Sequence, residues 1–232
     1  MGAIRDIARA VGLKRAHHFV RDQYNGIVFR HWMKRLLALP DPTHPPADVM
    51  RGLVAGWGNK SMSAWEDFIQ SALRHAGETN GPILECGSGL STVLLGIAAD
   101  RTGRKLFSLE NDSFWASRVR GILRKYGISN VEILASELRS YGEYTWYNPP
   151  LDMLPKDFSL VVCDGPPGDT PGGRYGLLPL MRSRLKPGCI ILLDDAHRPA
   201  EREIAARWAR ELATSFTIEG SDKPFIRLSV PA

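Results

Sequence analysis

The sequence predicts an α/β fold: a doubly wound, mostly parallel, seven-stranded Rossmann-like sheet with an N-terminal helical extension. From Pro82 onward, short apolar runs alternate with amphipathic stretches of helical length, the pattern of strands joined by crossover helices. The composition, with 44% hydrophobic and 24% charged residues, is that of an ordinary globular protein. We therefore predict an N-terminal helical segment or lid over residues 1–60 and one α/β domain over residues 61–232.

Seven apolar runs are the predicted strands: PILEC, KLFSLE, VEILA, FSLVVCD, CIILLDD, FTIEG and FIRLS. The stretches TVLLGIAAD, SFWASRVRGILRKYG, LLPLMRSRLKPG and AEREIAARWARELA between them are the predicted helices. Such sheets bind ligands beyond the carboxyl ends of their strands, where the strand order reverses. The residues just after each run are therefore the candidate site residues.

The N-terminal part is predicted to be helical. Residues 4–20 and 28–39 have apolar positions at helical spacing, and the proline-rich stretch 39–48 reads as a linker. A further helix, AWEDFIQSALRHAG, has Ser63 as its candidate N-cap and Gly77 as its end.

The stretch GWGNKS, at positions 56–61, precedes the first strand. Trp57, Asn59 and Lys60 are candidates for a lid over a ligand. The alternative is that Trp57 packs against the N-terminal helices.

The positive charge is concentrated at the N-terminus. Residues 1–60 carry ten Lys or Arg against four Asp or Glu, a balance of +6, which leaves −1 for the remainder of a chain whose net charge is +5. We interpret this basic segment as a solvated helical face or a homodimer contact. An anionic partner, or peripheral membrane contact through the N-terminal helices, is the alternative.

Several features indicate a cytoplasmic protein. No apolar run approaches the roughly 20 residues of a transmembrane helix, and the N-terminus lacks the apolar core of a signal peptide. Cys86, Cys163 and Cys189 fall in or beside apolar runs, so we expect buried, reduced thiols.

The stretch ILECGSGLST follows the pattern of a ligand-binding turn. Gly87 and Gly89 allow a tight strand-to-helix turn, and Ser91 or Thr92 can cap the helix that follows. Glu85, just before this turn, would repel a phosphate. Glu110 ends the next strand, where an acid commonly binds ribose hydroxyls. These features suit a cationic adenosine ligand without phosphate.

In these motifs and their order, from about Pro82 to the C-terminus, the chain resembles the class I S-adenosylmethionine-dependent methyltransferases. The resemblance implies that Glu85 and the glycine turn face the methionine end of the cofactor, Glu110 the ribose and Ser136 the adenine. A nicotinamide dinucleotide is disfavoured because Thr92 replaces the third glycine of its motif. The implied cofactor-binding residues are Glu85, Gly87, Ser88, Gly89, Ser91, Glu110, Asn111, Ser136 and Asp164.

Two Pro-Pro pairs compete for a place in the active site. Amino-methylating members of this family carry Asn/Asp-Pro-Pro-aromatic after the fourth strand, but YNPPL (147–151) precedes that strand. CDGPPG (163–168) follows it, with Gly165 and Gly168 where the motif has its first proline and its aromatic residue. Nucleic-acid bases are therefore disfavoured as acceptors, and YNPPL is interpreted as a turn that brings Trp146 and Tyr147 onto the body.

Three acids are predicted to converge. Asp164 ends the fourth strand, and Asp194 and Asp195 end the neighbouring fifth. Clustered carboxylates usually hold a cation or share protons. The layout resembles the metal-dependent O-methyltransferases of catechol and sugar substrates, which implies that the three acids bind Mg²⁺. Without a metal, Asp164 is expected to contact the cofactor or the substrate.

The sequence does not decide which residue acts as the general base. The catechol enzymes have a lysine three residues after the first acid, where this chain has Pro167. Asp164 and His197 are the candidate catalytic residues. His197 is the candidate base, and its alternative role is to cap the following helix. Arg174 and Tyr175, in the loop GDTPGGRYG, are candidates for substrate contacts.

We expect an S-adenosylmethionine-dependent methyltransferase, with Mg²⁺ as a further candidate cofactor, that acts on an oxygen of a small molecule or glycan. One alternative is an RNA or protein methyltransferase that docks through the basic N-terminal segment. The other is a non-catalytic, cofactor-binding assembly subunit.

Overall fold

The computed structural model describes residues 23–58, 64–221 and 223–231. The described residues divide into two compact units, one of 23–41 with 45–58 and one of 42–44 with 64–231. The helix predicted over 4–20 lies outside the described residues, as do the candidate N-cap Ser63 and the candidate lid residues Asn59 and Lys60.

The smaller unit contains two helices, α1 (23–37) and α2 (Ala47–Trp57). The sequence predicted α1 but not α2, whose two glycines resemble turn residues. Gly56 instead permits close packing, since a Cβ there would lie 2.5 Å from the backbone nitrogen of Phe29. Trp57 is buried, and its ring lies 5.6 Å from that of Phe29, so it packs within this unit.

The larger unit is built on a seven-stranded sheet with the order β3-β2-β1-β6-β7-β9-β8. The five strands from β3 to β7 along this order are parallel, whereas β9 is antiparallel to both of its neighbours. The predicted α/β fold class is confirmed. The strands are β1 (Ile83–Cys86), β2 (Leu106–Glu110), β3 (Val131–Ala135), β4 (Leu138–Ser140), β5 (Thr145–Tyr147), β6 (Phe158–Cys163), β7 (Leu185–Leu193), β8 (Phe216–Glu219) and β9 (Phe225–Ser229).

Helices cover the sheet. They are α3 (Glu66–Glu78), α4 (Leu90–Thr102), α5 (Ser113–Lys125), α6 (Leu177–Met181) and α7 (Pro199–Leu212). The helix α3 continues through Gly77, the predicted stop, by one residue. The predicted helix LLPLMRSRLKPG is reduced to α6 and a 3₁₀ turn, because β7 already begins at Leu185.

Strands β4 and β5 form a separate antiparallel hairpin that the sequence did not predict. Each strand has only three residues, too few for alternation to be recognised. Trp146 and Tyr147 of β5 are fully buried in the core beside Trp208 of α7. The interpretation that this segment brings both aromatic residues onto the body is confirmed.

The three cysteines are free and buried, as expected. Within the described residues, no helix has both the length and the apolar character needed to cross a bilayer.

Candidate functional site

The carboxyl ends of four neighbouring strands meet at one edge of the sheet. The chain order reverses between β1 and β6, which is where such sheets bind ligands. Backbone hydrogen bonds hold the strand ends level: the amide of Asp164 donates to the carbonyl of Cys86, and that of Asp194 to the carbonyl of Cys163, both at 3.0 Å. This edge carries the residues that the sequence singled out.

Glu110, at the end of β2, is hydrogen-bonded to the glycine turn after β1. Its Oε2 accepts from both the amide and the hydroxyl of Ser88, at 2.9 and 2.7 Å. Its Oε1 accepts from the amide of Asp112 at 2.9 Å. The structure therefore joins two predicted cofactor residues, Ser88 and Glu110, directly.

Glu85 faces the interior. It is fully buried, and its carboxylate accepts from the hydroxyls of Ser91, Thr92 and Ser108 at 2.6, 2.5 and 2.7 Å. Burial raises its pKa to about 7, although the three hydroxyl groups act in the opposite direction. This placement differs from the expectation that Glu85 and Ser91 lie open to a ligand. Their side chains bind each other and brace the start of α4, so their influence on a ligand is indirect.

Gly87 and Gly165 lie in close backbone contact. Gly87 has a φ of +89°, which favours glycine. A Cβ on Gly165 would overlap the hydroxyl of Tyr147 and lie 3.1 Å from the nitrogen and the Cα of Gly87. The turn after β6 therefore fits against the turn after β1 only because both positions are glycine.

The three acids converge as the sequence predicted. One oxygen from each of Asp164, Asp194 and Asp195 lies within 4.8 Å of the others. Asp194 is fully buried, whereas 25% of the Asp164 side chain is exposed. Asp164 is thus the member of the cluster that a ligand can reach.

Arg174 forms hydrogen bonds with all three residues of this cluster. Its Nη2 donates to Oδ1 of Asp164 at 3.1 Å and to Oδ2 of Asp195 at 2.8 Å, and its Nη1 donates to the backbone carbonyl of Asp194 at 2.9 Å. Arg174 is 2% exposed, which corrects the expectation that it contacts substrate. Tyr175 is also buried, and its hydroxyl donates to Glu211 at 2.8 Å.

Two further cations bind the same acids. The ammonium of Lys223 lies 3.0 Å from Oδ2 of Asp194 and 2.7 Å from Oδ1 of Asp195. Arg198 places Nη1 3.0 Å from Oδ2 of Asp195. Among the described residues, none forms a hydrogen bond with the buried Oδ1 of Asp194.

The surroundings shift the acids in opposite directions. Burial raises the pKa of Asp164 to about 8, and Asp194 and Asp195 add to the rise, while Arg174 opposes it. Burial alone would also raise the pKa of Asp195, but Arg174 and Lys223 lower it below its ordinary value. Asp164 therefore binds a proton near neutral pH, and Asp195 stays ionised.

The remaining predicted residues lie around this edge. Ser136 is buried; its amide donates to the carbonyl of Glu110 at 2.7 Å and its hydroxyl to that of Leu134 at 3.2 Å. Asn111 is partly exposed. His197 is exposed, and the N-cap of α7 is Arg198, which makes no side-chain capping bond. The role of His197 as a base stays a prediction.

Comparison with solved structures identifies the fold. The precorrin-6y C5,15-methyltransferase of Geobacter metallireducens GS-15 aligns with a TM-score of 0.53 and 16% identity, over 75% of this chain and 92% of that one. The methyltransferase PaMTH1 of Podospora anserina, bound to S-adenosylhomocysteine, gives 0.51 and 18%, over 92% and 94%. An O-methyltransferase from Bacillus cereus, also in complex with S-adenosylhomocysteine, gives 0.52 and 17%, over 90% and 96%. At these identities the similarity shows a shared fold.

The sequence comparison adds the family. No curated protein matches the chain significantly. Residues 84–196, from β1 to the loop after β7, match a family model described as a methyltransferase domain. The chain contains a methyltransferase domain, and its fold is the Rossmann-like fold of S-adenosylmethionine-dependent methyltransferases. Its candidate active site is the strand edge described above.

The residues of this methyltransferase fit S-adenosylmethionine. A Cβ on Gly89 would meet no heavy atom within 4 Å, so the glycine turn has open space beside it. Glu110 lies against the same turn through Ser88. The cofactor contacts of Gly87, Ser88, Gly89, Glu110, Asn111, Ser136 and Asp164 stay predictions of the resemblance.

The three aspartates suit magnesium in donor type and spacing, but the positive charges of neighbouring side chains already neutralise them. Three carboxylates are suitable ligands for a hard cation, and the buried Oδ1 of Asp194 has no hydrogen-bond partner among the described residues. However, Arg174 already binds one oxygen each of Asp164 and Asp195, and Lys223 binds one oxygen each of Asp194 and Asp195. A divalent ion would have to displace a cation from this arrangement, so the cluster as built does not fit it.

Sequence reasoning missed Lys223 and Arg198, and it assigned Arg174 to the substrate instead of to the acids. Arg174 follows two glycines in a loop, and Lys223 precedes the last strand. A signal for Lys223 was available: if the last strand is antiparallel to the fifth, its beginning lies beside Asp194 and Asp195. Trp115 was missed as well; its Nε1 donates to the carbonyl of Ser88 at 2.7 Å.

Proposed function

We propose that this methyltransferase transfers a methyl group to an oxygen atom of a small molecule or glycan. The proposal is carried by the end of β6, where Asp164 is followed by Gly165 in close backbone contact with Gly87. It is supported by the partial exposure of Asp164 among acids that are otherwise buried.

An amino acceptor is disfavoured by the packing of Gly165. The Asn/Asp-Pro-Pro-aromatic motif of amino-methylating relatives would place a proline there, whose Cβ would meet Tyr147 and Gly87. At the position of the aromatic residue, a Cβ on Gly168 would overlap the guanidinium of Arg198. A proline at position 165 would require the turn or Tyr147 to move, and an aromatic residue at position 168 would require the Arg198 side chain to move.

Asp164 suits an acceptor group that must lose a proton during methyl transfer. A hydroxyl must lose its proton as it attacks a methyl group, and a base works best when its pKa is near the working pH. With its pKa raised to about 8, Asp164 can both accept and release a proton in this range. Arg174 binds Oδ1, so the acceptor's proton is received at Oδ2.

When bound, S-adenosylmethionine supplies an electrophilic methyl group on a sulfonium. The chain's residues position the acceptor: the acceptor oxygen forms the new bond to the methyl carbon while the carbon–sulfur bond breaks, S-adenosylhomocysteine leaves, and the acceptor's proton passes to Asp164 or to His197. Arg174 keeps the Asp164 carboxyl in place through three hydrogen bonds to Asp164 and Asp195. Because in-line displacement depends on alignment, positioning supplies much of the rate.

Magnesium assistance is the alternative form of this reaction. The three carboxylates support it, since they match the metal-binding acids of the catechol and sugar O-methyltransferases, and the ion pairs of Lys223 and Arg174 oppose it. The similarity to the Bacillus cereus O-methyltransferase supports oxygen as the acceptor atom in either form.

The test has two stages. Calorimetry with S-adenosylhomocysteine, with magnesium and again with EDTA, measures cofactor binding. Transfer from methyl-labelled S-adenosylmethionine is then measured with hydroxyl, carboxyl and amine compounds, glycans and RNA. We expect labelled ethers or esters, and a loss of transfer in Asp164→Asn while S-adenosylhomocysteine still binds. Label found only in amines or RNA would overturn the proposal and favour docking through the basic N-terminal segment.

A further inference from the structure

The ammonium of Lys223 lies where the aspartate cluster would otherwise need a metal ion. It is 3.0 Å from Oδ2 of Asp194 and 2.7 Å from Oδ1 of Asp195, and the lysine side chain is only 17% exposed. An ammonium with three donors in that position makes the contacts to oxygen that a hard cation makes.

The pairing of β9 with β7 places Lys223 beside Asp194 and Asp195. Strand β9 is antiparallel to β7, and Leu193 pairs with Ile226, so the start of β9 lies beside the end of β7. The loop before β9 is fastened by the amide of Ala196, which donates to the carbonyl of Pro224 at 2.8 Å. Lys223 therefore reaches the two acids after β7 from the neighbouring strand.

Arg174 is a second side-chain cation that pairs with these acids. It binds Asp164 and Asp195 together, while Lys223 binds Asp194 and Asp195 together. Asp195 is thus bridged to Asp164 by Arg174 and to Asp194 by Lys223. Buried carboxylates this close are stable only when paired, and here the pairing is made within the chain.

We infer that Lys223 is the built-in cation of this cluster, so that the methyltransferase works without a divalent metal. Loss of the positive charge of Lys223 opens a cation site between Asp164, Asp194 and Asp195. Mg²⁺ binds oxygens at about 2.0–2.1 Å, so an ion held by Asp194 and Asp195 would lie against the ammonium that already contacts one oxygen of each, at 3.0 and 2.7 Å. The ammonium and a divalent ion therefore exclude each other. The inference depends on the proposed function only in placing the acceptor beside this cluster.

The experiment compares Mn²⁺ binding to the full chain before and after removal of the ammonium. The loss of free Mn²⁺ signal is followed by electron paramagnetic resonance for the wild type, Lys223→Met, and Lys156→Met, which removes an exposed lysine elsewhere. We expect no saturable binding by the wild type or Lys156→Met. Lys223→Met should bind Mn²⁺ saturably, with an affinity at least about tenfold above the weakest that the titration detects, and adding Asp194→Asn should abolish that binding.

Two results would overturn the inference. One is saturable Mn²⁺ binding by the wild type that Asp194→Asn removes. The other is a folded Lys223→Met protein, checked by thermal unfolding, that binds no more Mn²⁺ than the wild type. If Lys223→Met does not fold, the wild-type and Asp194→Asn titrations still decide whether a metal binds. S-adenosylhomocysteine calorimetry on the same samples separates the two proposals, since failure to bind it contradicts the proposed function and leaves the Mn²⁺ result interpretable.

Discussion

Ser88 donates both its backbone amide and its hydroxyl to one oxygen of Glu110, at 2.9 and 2.7 Å. The acid after β2 and the glycine turn after β1 are consequently one hydrogen-bonded unit. Trp115 extends it by donating its Nε1 to the carbonyl of Ser88 at 2.7 Å. A change in Glu110 should therefore disturb the turn as well as any contact that the acid itself makes with the cofactor.

Glu110→Gln is expected to weaken cofactor binding strongly. It removes a charged acceptor of two hydrogen bonds from Ser88, each worth roughly 1.5–3 kcal/mol, so S-adenosylhomocysteine should bind at least about tenfold more weakly by calorimetry. Glu203→Gln, on the exposed side of α7, is the matched control and should bind as the wild type does. Unchanged affinity in Glu110→Gln would contradict the assignment of the cofactor site.

Gly165→Ala should destabilise the protein and impair the site. Its Cβ would overlap the hydroxyl of Tyr147 and press on the backbone of Gly87, and overpacking of this kind costs about 1–3 kcal/mol. Urea unfolding measures the loss. The control is Gly121→Ala in α5, where a Cβ would meet nothing within 4 Å and alanine favours the helix. If both variants were equally stable, the close contact of the two turns would not be a constraint.

Much of the site could be predicted from the sequence because it lies at strand ends. In a parallel sheet every crossover returns the chain to the same edge, so Glu110, Asp164 and Asp194 had to lie at one edge once the strands were recognised. Lys223 escaped this reasoning because it precedes an antiparallel strand. Its position depends on the pairing of β9 with β7, which no local pattern reveals.

The direction of Glu85 could not be predicted for a related reason. All four residues of β1 are buried, since both faces of the sheet are covered. A strand of this kind reads as a continuous apolar run and shows no alternation. Whether Glu85 faced the ligand or α4 was therefore decided by Ser91 and Thr92 of α4 and by Ser108 of β2, which all donate hydrogen bonds to it.

The burial of Glu85 predicts a dependence of stability on pH. Burial raises its pKa from 4.5 to about 7, so in this range the folded protein retains a proton that the unfolded chain has lost. The stabilising contribution is complete below pH 4.5 and is lost as the pH rises to about 7, by roughly 3 kcal/mol at most. Thermal unfolding of Glu85→Gln between these limits should fall less with pH than that of the wild type. Glu203→Gln should keep the wild-type slope, and an equal slope in Glu85→Gln would contradict the raised pKa.

Arg174→Met should cost far more stability than a change at an exposed arginine. Removing one partner of a buried ion pair typically costs about 3–5 kcal/mol because the other charges are left uncompensated, and Arg174 pairs with both Asp164 and Asp195. Arg182→Met, at an exposed position before β7, is the control and should change the free energy of unfolding little. A small effect at Arg174, measured by urea unfolding, would show that the acids are held by Lys223 and Arg198 alone.

His197 and Asp164 can be separated as proton acceptors once an acceptor substrate is found. A general base contributes about 10²–10⁴-fold to the rate, so the variant of the true base, His197→Asn or Asp164→Asn, should lower kcat by at least about 100-fold. Because His197 is exposed and does not cap α7, His197→Asn should leave the unfolding temperature and the S-adenosylhomocysteine affinity unchanged. A loss of kcat in that variant would therefore report proton transfer and not folding. If kcat survives in His197→Asn and is lost only in Asp164→Asn, the proton goes to the carboxylate held by Arg174, and if it survives in both, neither residue is the base.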